Sequence, residues 1–316
     1  MFGVSINIRL SFYFFSYFAA IGVFLPYWTV YLKELKGFQP AEIGELMAAF
    51  MLTKMVAPCI WGSLADRYSN LSVMVRIACA MTCLSFSTIY ISNDYSEVML
   101  IMVCFGFFWA AALSPFEALT LNHLGESTNR YSQIRLWGSI GFIVVVLVLP
   151  LFIESQGLSL VVDALLALMI MLFIAACLVP NKSQPVEVVS SSRLWDVLKK
   201  PAVLVLLLAC SLNIASHGAY YTFFTIYLND HGYSSAFIGW MWALGVIAEV
   251  IIFALMHLFM KRFSAAQIFV LAMFLTAVRW FLLGGFVDSI AVLLIAQILH
   301  AATFGLFHAA AIHLIH

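Results

Sequence analysis

Charge is scarce in this chain. Asp, Glu, Lys and Arg make up 9% of its 316 residues, fifteen acids against fifteen bases, for a net charge of zero. A soluble protein of this length needs far more charge to cover its surface. The few bases form no basic face outside the loops, which argues against a nucleic-acid partner. Cysteine is sparse as well: Cys59, Cys79, Cys83, Cys104, Cys177 and Cys210 all fall in apolar stretches. None has the His or Asp neighbours of a metal set, so they read as small packing residues, with neither a disulfide framework nor a metal site expected. Also missing are the His-Glu-x-x-His motif and the paired aspartates of membrane-embedded hydrolases, so no enzyme and no cofactor are expected. The first apolar run, Leu10 to Leu32, is too long for a leader's core and no small-x-small site follows it, so it reads as a span.

What is present is apolar. Hydrophobic residues are 64% of the chain and the mean hydropathy is +1.04. Ten runs can each cross a hydrocarbon core of about 30 Å: roughly 10–32, 43–65, 72–92, 97–120, 133–153, 158–179, 202–228, 237–259, 265–286 and 289–312. They are continuously apolar and too long for tilted strands, which predicts an all-α polytopic membrane protein. With the N-terminus in the cytoplasm, eleven bases fall inside (Arg9, Arg67, Arg76, Arg130, Arg135, Lys182, Arg193, Lys199, Lys200, Lys261, Arg262), or ten if Arg135 belongs to its span, and only Lys33 and Lys36 fall outside. That asymmetry sets the orientation.

The longest polar stretch, Asn181 to Lys200, opens as a flexible linker with Pro185 and Ser190-Ser191-Ser192. It closes on Arg193 to Lys200, an amphipathic segment with Leu194, Trp195 and Leu198 toward lipid. The linker separates a six-span bundle, 1–180, from four spans in 201–316. A repeat crosses it at a constant offset: Gly37 falls on Gly232, Ala41 on Ala236, Ile43-Gly44 on Ile238-Gly239, Arg67 on Arg262, and the mid-span Lys54 on Glu249. Spans 2 and 8 therefore run in the same direction, as in transporters built from two parallel bundles. By that symmetry the second bundle is expected to be two helices short, the chain ending at His316 as a C-terminal truncation; a true ten-span protein is the alternative.

Gly62-x-x-x-Asp66-Arg67, between spans 2 and 3, resembles the loop signature of the major facilitator superfamily, with Ser69 and Asn70 where the family carries Gly and further bases. Physically, Gly62 would let two helices approach closely, and Asp66 with Arg67 would latch helix ends as a gate. Several ordered blocks are similar to the proton-symporter branch that includes lactose permease and the 3-phenylpropionate transporters. They are Gly22 to Lys33, Ile134 to Ser139, His217 to Tyr221, Gly245 to Ala254, and Gln297 to His300 with Thr303, Phe304 and His308. The resemblance implies the major facilitator fold, two pseudo-symmetric helical bundles, in a bacterial inner membrane, and a monomer is expected.

Charges at bilayer depth are costly and face a cavity or each other. Glu117 and Arg135 lie equally deep, nine residues either side of Glu126, and could pair. The resemblance makes them substrate contacts, with Phe142 in the place of a stacking ring; a structural ion pair is the competing reading. The resemblance makes Lys54 a cavity cation which, with Arg135, would suit a carboxylate; a pair with an acid on a neighbouring helix is the competing reading. An acid that exchanges protons near neutral pH needs an apolar site to hold the proton and a nearby arginine to help release it. Glu249, Arg279, His300 and His308, on spans 8 to 10, are the proton-coupling candidates that the resemblance implies, although span 10 carries no acid. His217 and Tyr220 are placed with the substrate contacts. The aromatics Tyr27, Trp28 and Tyr31, and Tyr220, Tyr221 and Phe224, are related by the repeat and could stack on an aromatic substrate, against packing as the plain alternative. The combined reading is symport of a small aromatic carboxylate such as 3-phenylpropionate, with a proton as the coupling ion. A sugar or nucleoside symporter, and an inactive fragment or non-transporting sensor, are the alternatives.

Overall fold

The computed structural model describes residues 5–67, 70–182 and 198–315, and those residues are helical with no strand among them. They fall into two compact units, Met1–Glu187 and Val188–His316. In the first, α1 (Ile6–Val23), a π-helical turn (Phe24–Trp28) and α2 (Thr29–Glu34) form one span. Then follow α3 (Pro40–Arg67), α4 (Leu71–Ser87), α5 (Tyr95–Leu124), α6 (Tyr131–Gln156) and α7 (Leu160–Leu178). The second unit holds α8 (Pro201–Asp230), α9 (Ser235–Arg262) and α10 (Ala265–Gly285). Its last described span comprises α11 (Ile290–His300), a π-helical turn (Ala301–Leu306) and α12 (Phe307–Ile315). The ten membrane-length stretches match the ten apolar runs. Most of the Asn181–Lys200 linker, with its amphipathic segment, lies outside the described residues.

Local chemistry sets the helix ends. Asn70 caps α4 through Val73 N, while Asp94 with Glu97, and Ser264 with Gln267, form capping boxes at the starts of α5 and α10. Gly37 (φ +72°) and Gly232 (φ +81°) occupy the same turn after α2 and α8, a left-handed conformation that explains why the repeat carries glycine there. Pro26 lies within the widened turn of the first span; lacking an N–H, it cannot continue an α-helical ladder.

Two devices hold the first unit together. One is a run of rings through its middle: Tyr17 stacks on Trp109 at 4.6 Å, Phe105 on Phe50 at 5.3 Å, and Phe24 sits 4.7 Å from Phe50. The other is close approach of α1 to α6. A Cβ at Gly141 would collide with the Phe15 carbonyl oxygen, and one at Gly138 would fall 2.6 Å from the Phe18 ring. Between membrane helices, where burial of apolar surface gains little, such small residues let van der Waals contact form. Gly141→Ala is therefore expected to cost about 1–3 kcal/mol in thermal unfolding of the detergent-solubilised protein, while Gly62→Ala stays within about 0.5 kcal/mol. Equal midpoints for the two variants would show that α1 and α6 need no such contact.

The Gly62 comparison corrects an expectation. Among the described residues Gly62 is not a point of close helix approach: none of them lies within 4 Å of where its Cβ would be, and it borders a cavity of about 190 Å³ with Pro58, Trp61, Ala110 and Pro115. The tight glycine between α3 and α5 is Gly106, whose Cβ would run into Thr53 and Phe50. The side chains of Asp66 and Arg67, the other expected gate residues, lie outside the described residues. In the second unit, α10 meets the α11–α12 span through Ile268, Phe269, Ala272, Leu306, Phe307 and Ala310. Leu204, Val205, Leu208 and Leu212 project outward from α8, an apolar face suited to lipid.

Candidate functional site

The second unit buries a polar cluster. Helical spacing puts Asn213, His217 and Tyr220 on one face of α8, Thr276 and Arg279 on one face of α10, and Gln297 and His300 on one face of α11. All seven are buried, and Arg279 and Gln297 have no exposed surface. Arg279 Nε donates to the Ala296 carbonyl at 2.9 Å and its Nη2 to Gln297 Oε1 at 3.4 Å. Its guanidinium lies 4.3 Å from the Tyr220 ring and 4.5 Å from that of Trp280. The Tyr220 hydroxyl donates to the same Gln297 oxygen at 3.2 Å.

A second strand of bonds joins α8 to the widened turn. His217 Nδ1 contacts the Asn213 carbonyl at 2.8 Å and its Nε2 the Thr303 hydroxyl at 3.3 Å. Asn213 Nδ2 donates to the Thr303 carbonyl at 3.3 Å, and Thr276 donates to Asn213 Oδ1 at 3.0 Å. The His300 ring lies 6.0 Å from His217 and 5.6 Å from Tyr220. Gly245 of α9 rests on His300, and one helical turn further Glu249, half-buried, packs beside Gly305 of the widened turn; a Cβ there would sit 3.6 Å from Glu249 Cγ.

The structure thus brings Arg279, His300, His217 and Tyr220 together, with Glu249 one turn along α9. It does not bring His308, which is exposed on α12 and stacks on Phe304 at 6.3 Å. Asn213, Thr276, Gln297 and Thr303 belong to the cluster and were not singled out as site residues. Their signal was the spacing of polar residues at three or four positions from a recognised histidine or arginine.

In the first unit the expected pair is not formed. Among the described residues no N–O contact within 4.0 Å joins Arg135 to Glu117. Instead the Tyr131 hydroxyl donates to Glu117 Oε1 at 3.2 Å, and the Arg135 guanidinium lies 3.9 Å over the Phe18 ring and 5.6 Å from Phe14. Apolar rings, poor partners for an acid, occupy the space beside the arginine. Lys54 is exposed on α3 with Nζ 5.7 Å over Phe50. Phe142 is buried against Gly22. Tyr27 donates to the Val146 carbonyl at 3.2 Å, and Trp28 is fully buried among Phe24, Tyr31 and Phe86, so both are part of the packing of the bundle.

Ten membrane-length helices in two units, with charged and hydrogen-bonding side chains held inside, mark an integral membrane protein, and its relatives are transporters. The chain belongs to the MFS_1 like family, which it matches over residues 7–316. It is 28% identical over 306 residues to the probable 3-phenylpropionic acid transporter of Escherichia coli (strain K12), covering 96% of this chain and 80% of that protein. It is 25% identical over 270 residues to the maltose permease of Geobacillus stearothermophilus, 85% of this chain and 68% of that one. Among solved structures, the nucleoside transporter NupG superposes with a TM-score of 0.85 at 16% identity, over 97% of this chain and 81% of its own, which bears on the fold alone.

Proposed function

We propose that this transporter is a proton-coupled symporter of a small aromatic carboxylate, 3-phenylpropionate or a close analogue. The observation that carries the reading is the fully buried Arg279, whose guanidinium lies against the adjacent rings of Tyr220 and Trp280. It stands in a chain related to a protein named as a 3-phenylpropionic acid transporter. A guanidinium set against aromatic rings suits an anion that carries an aryl group. Lys54 and Arg135 add positive charge to the first unit.

In this reading Glu249 carries the proton, and Arg279, His300 and His217 form its polar surroundings, with His308 at their margin. The proton is the only coupling ion, and no cofactor takes part. The first unit is a complete six-helix bundle, the protein works as a monomer, and its N-terminus faces the cytoplasm of a bacterial inner membrane.

Proteoliposomes with an acidic exterior should then accumulate labelled 3-phenylpropionate, and a protonophore should reduce the internal concentration to the external one. Accumulation of a sugar or nucleoside, with none of the carboxylate, would replace this substrate with the neutral class. Carboxylate accumulation that survives the protonophore would remove the proton from the mechanism.

A further inference from the structure

We infer that Arg279, Gln297 and His300 form the carboxylate subsite of this transporter, three hydrogen-bond donors left open for one anion. The inference rests on the substrate class proposed above and assigns its charged end to particular atoms.

Five buried side-chain nitrogen or oxygen atoms among the described residues lack a hydrogen-bond partner, and three of them are Arg279 Nη1, Gln297 Nε2 and His300 Nδ1. Buried polar atoms are rarely left so, and three on two packed helices form a group rather than scattered defects. The surrounding bonds determine what each still offers. Gln297 Oε1 already accepts from Tyr220 and from Arg279 Nη2. That fixes the amide orientation and leaves its NH₂ open. Arg279 spends Nε on Ala296 and Nη2 on Gln297, which leaves Nη1. We take His300 Nδ1 as the third donor, which assigns the ring its Nδ1-protonated tautomer.

What remains is donors only, beside one fixed positive charge. Among the described residues no carboxylate oxygen lies within 4.0 Å of the guanidinium. A carboxylate brings only acceptors and a negative charge, and so meets every open position. A hydroxyl or an amide brings a donor of its own and no charge. The adjacent rings of Tyr220 and Trp280 lie against the guanidinium, and Phe304 stacks on His300 at 5.7 Å, an aromatic wall for the rest of the molecule. With no exposed surface on Arg279 or Gln297, the subsite is occluded in this conformation. By contrast the cations of the first unit lie over phenyl rings, Lys54 over Phe50 and Arg135 over Phe18.

The test uses the full chain in nanodiscs, with tryptophan fluorescence titrated by 3-phenylpropionate, benzoate and the uncharged 3-phenylpropionamide, and thermal unfolding recorded in parallel. The wild type should bind the acid at least about tenfold more tightly than the amide. Gln297→Glu puts a carboxylate of the protein's own beside Arg279. It should weaken binding of the acid by about 10- to 100-fold and raise the unfolding temperature. His300→Phe removes one donor and should weaken the acid by about tenfold while leaving the amide nearly unchanged. Unchanged acid affinity in both variants would place the carboxylate elsewhere and overturn the subsite while the transport reading stands. Benzoate protection of the wild type but not of Gln297→Glu, with no uptake of 3-phenylpropionate, would support the subsite while the transport reading fails. A wild type that binds no carboxylate removes the subsite too.

Discussion

In Glu249→Gln proteoliposomes, an inward proton gradient is expected to produce no accumulation of 3-phenylpropionate, whereas exchange of internal for external substrate continues. One pH unit is worth about 1.4 kcal/mol per proton, or about tenfold in concentration, so the wild type should concentrate substrate about tenfold per unit and the variant not at all. Glutamine keeps the size of the side chain and, like the protonated carboxyl, offers one acceptor and a donor, but it cannot release a proton. Glu249 is half-buried at membrane depth, one turn from Gly245, which touches His300, and against Gly305 of the widened turn. A carboxylate there is costly in apolar surroundings, and a neutral carboxyl much less so, so protonation favours movement of the loaded carrier. Persistence of exchange shows that the site still binds and reorients. Gradient-driven accumulation by the variant would rule out Glu249 as the proton carrier.

Arg279→Met is expected to abolish uptake while leaving the protein as stable as the wild type or more so. A buried charge burdens the fold, and replacing buried ionic groups by apolar ones of similar volume is often neutral or stabilising by about 1–4 kcal/mol. Removing the guanidinium takes a donor from the Ala296 carbonyl, but Gln297 Oε1 keeps the Tyr220 hydroxyl. The cation–π contacts with Tyr220 and Trp280 are lost, an offset of about 0.5–2 kcal/mol that methionine's own contact with the rings partly restores. Uptake has no such substitute, since the anion loses its only fixed positive partner in the cluster. Thermal unfolding and uptake measured on the same preparation separate the two effects. A variant that unfolds well below the wild type would make Arg279 a structural residue first.

Both predictions depend on which side chains share a place, and that was the part of the site least visible in the sequence. Arg279, His300 and Glu249 stood out as charges or histidines inside apolar runs, because the membrane penalises them wherever they fall. Gln297 and Asn213 did not stand out, being uncharged and common in spans. Arg135 and Glu117 matched in depth, yet depth says nothing about rotation around the helix axis, and Tyr131 with the rings of Phe14 and Phe18 stands where a direct pair was expected. Gly62 carried a family motif but no contact among the described residues, while Gly106 and Gly141, without any motif, sit where helices meet tightly.

The sequence by itself determined the number of spans, the repeat and the turn glycines Gly37 and Gly232. Hydrophobic length and backbone conformation are local properties, written residue by residue. Only the tertiary structure decided that Arg279 bonds Gln297 one turn from His300, each of the three with a buried nitrogen unpartnered among the described residues, and that Glu249 lies against the widened turn. Those are facts of helix rotation and packing, set by many weak contacts summed over whole interfaces, and no short stretch of sequence contains them.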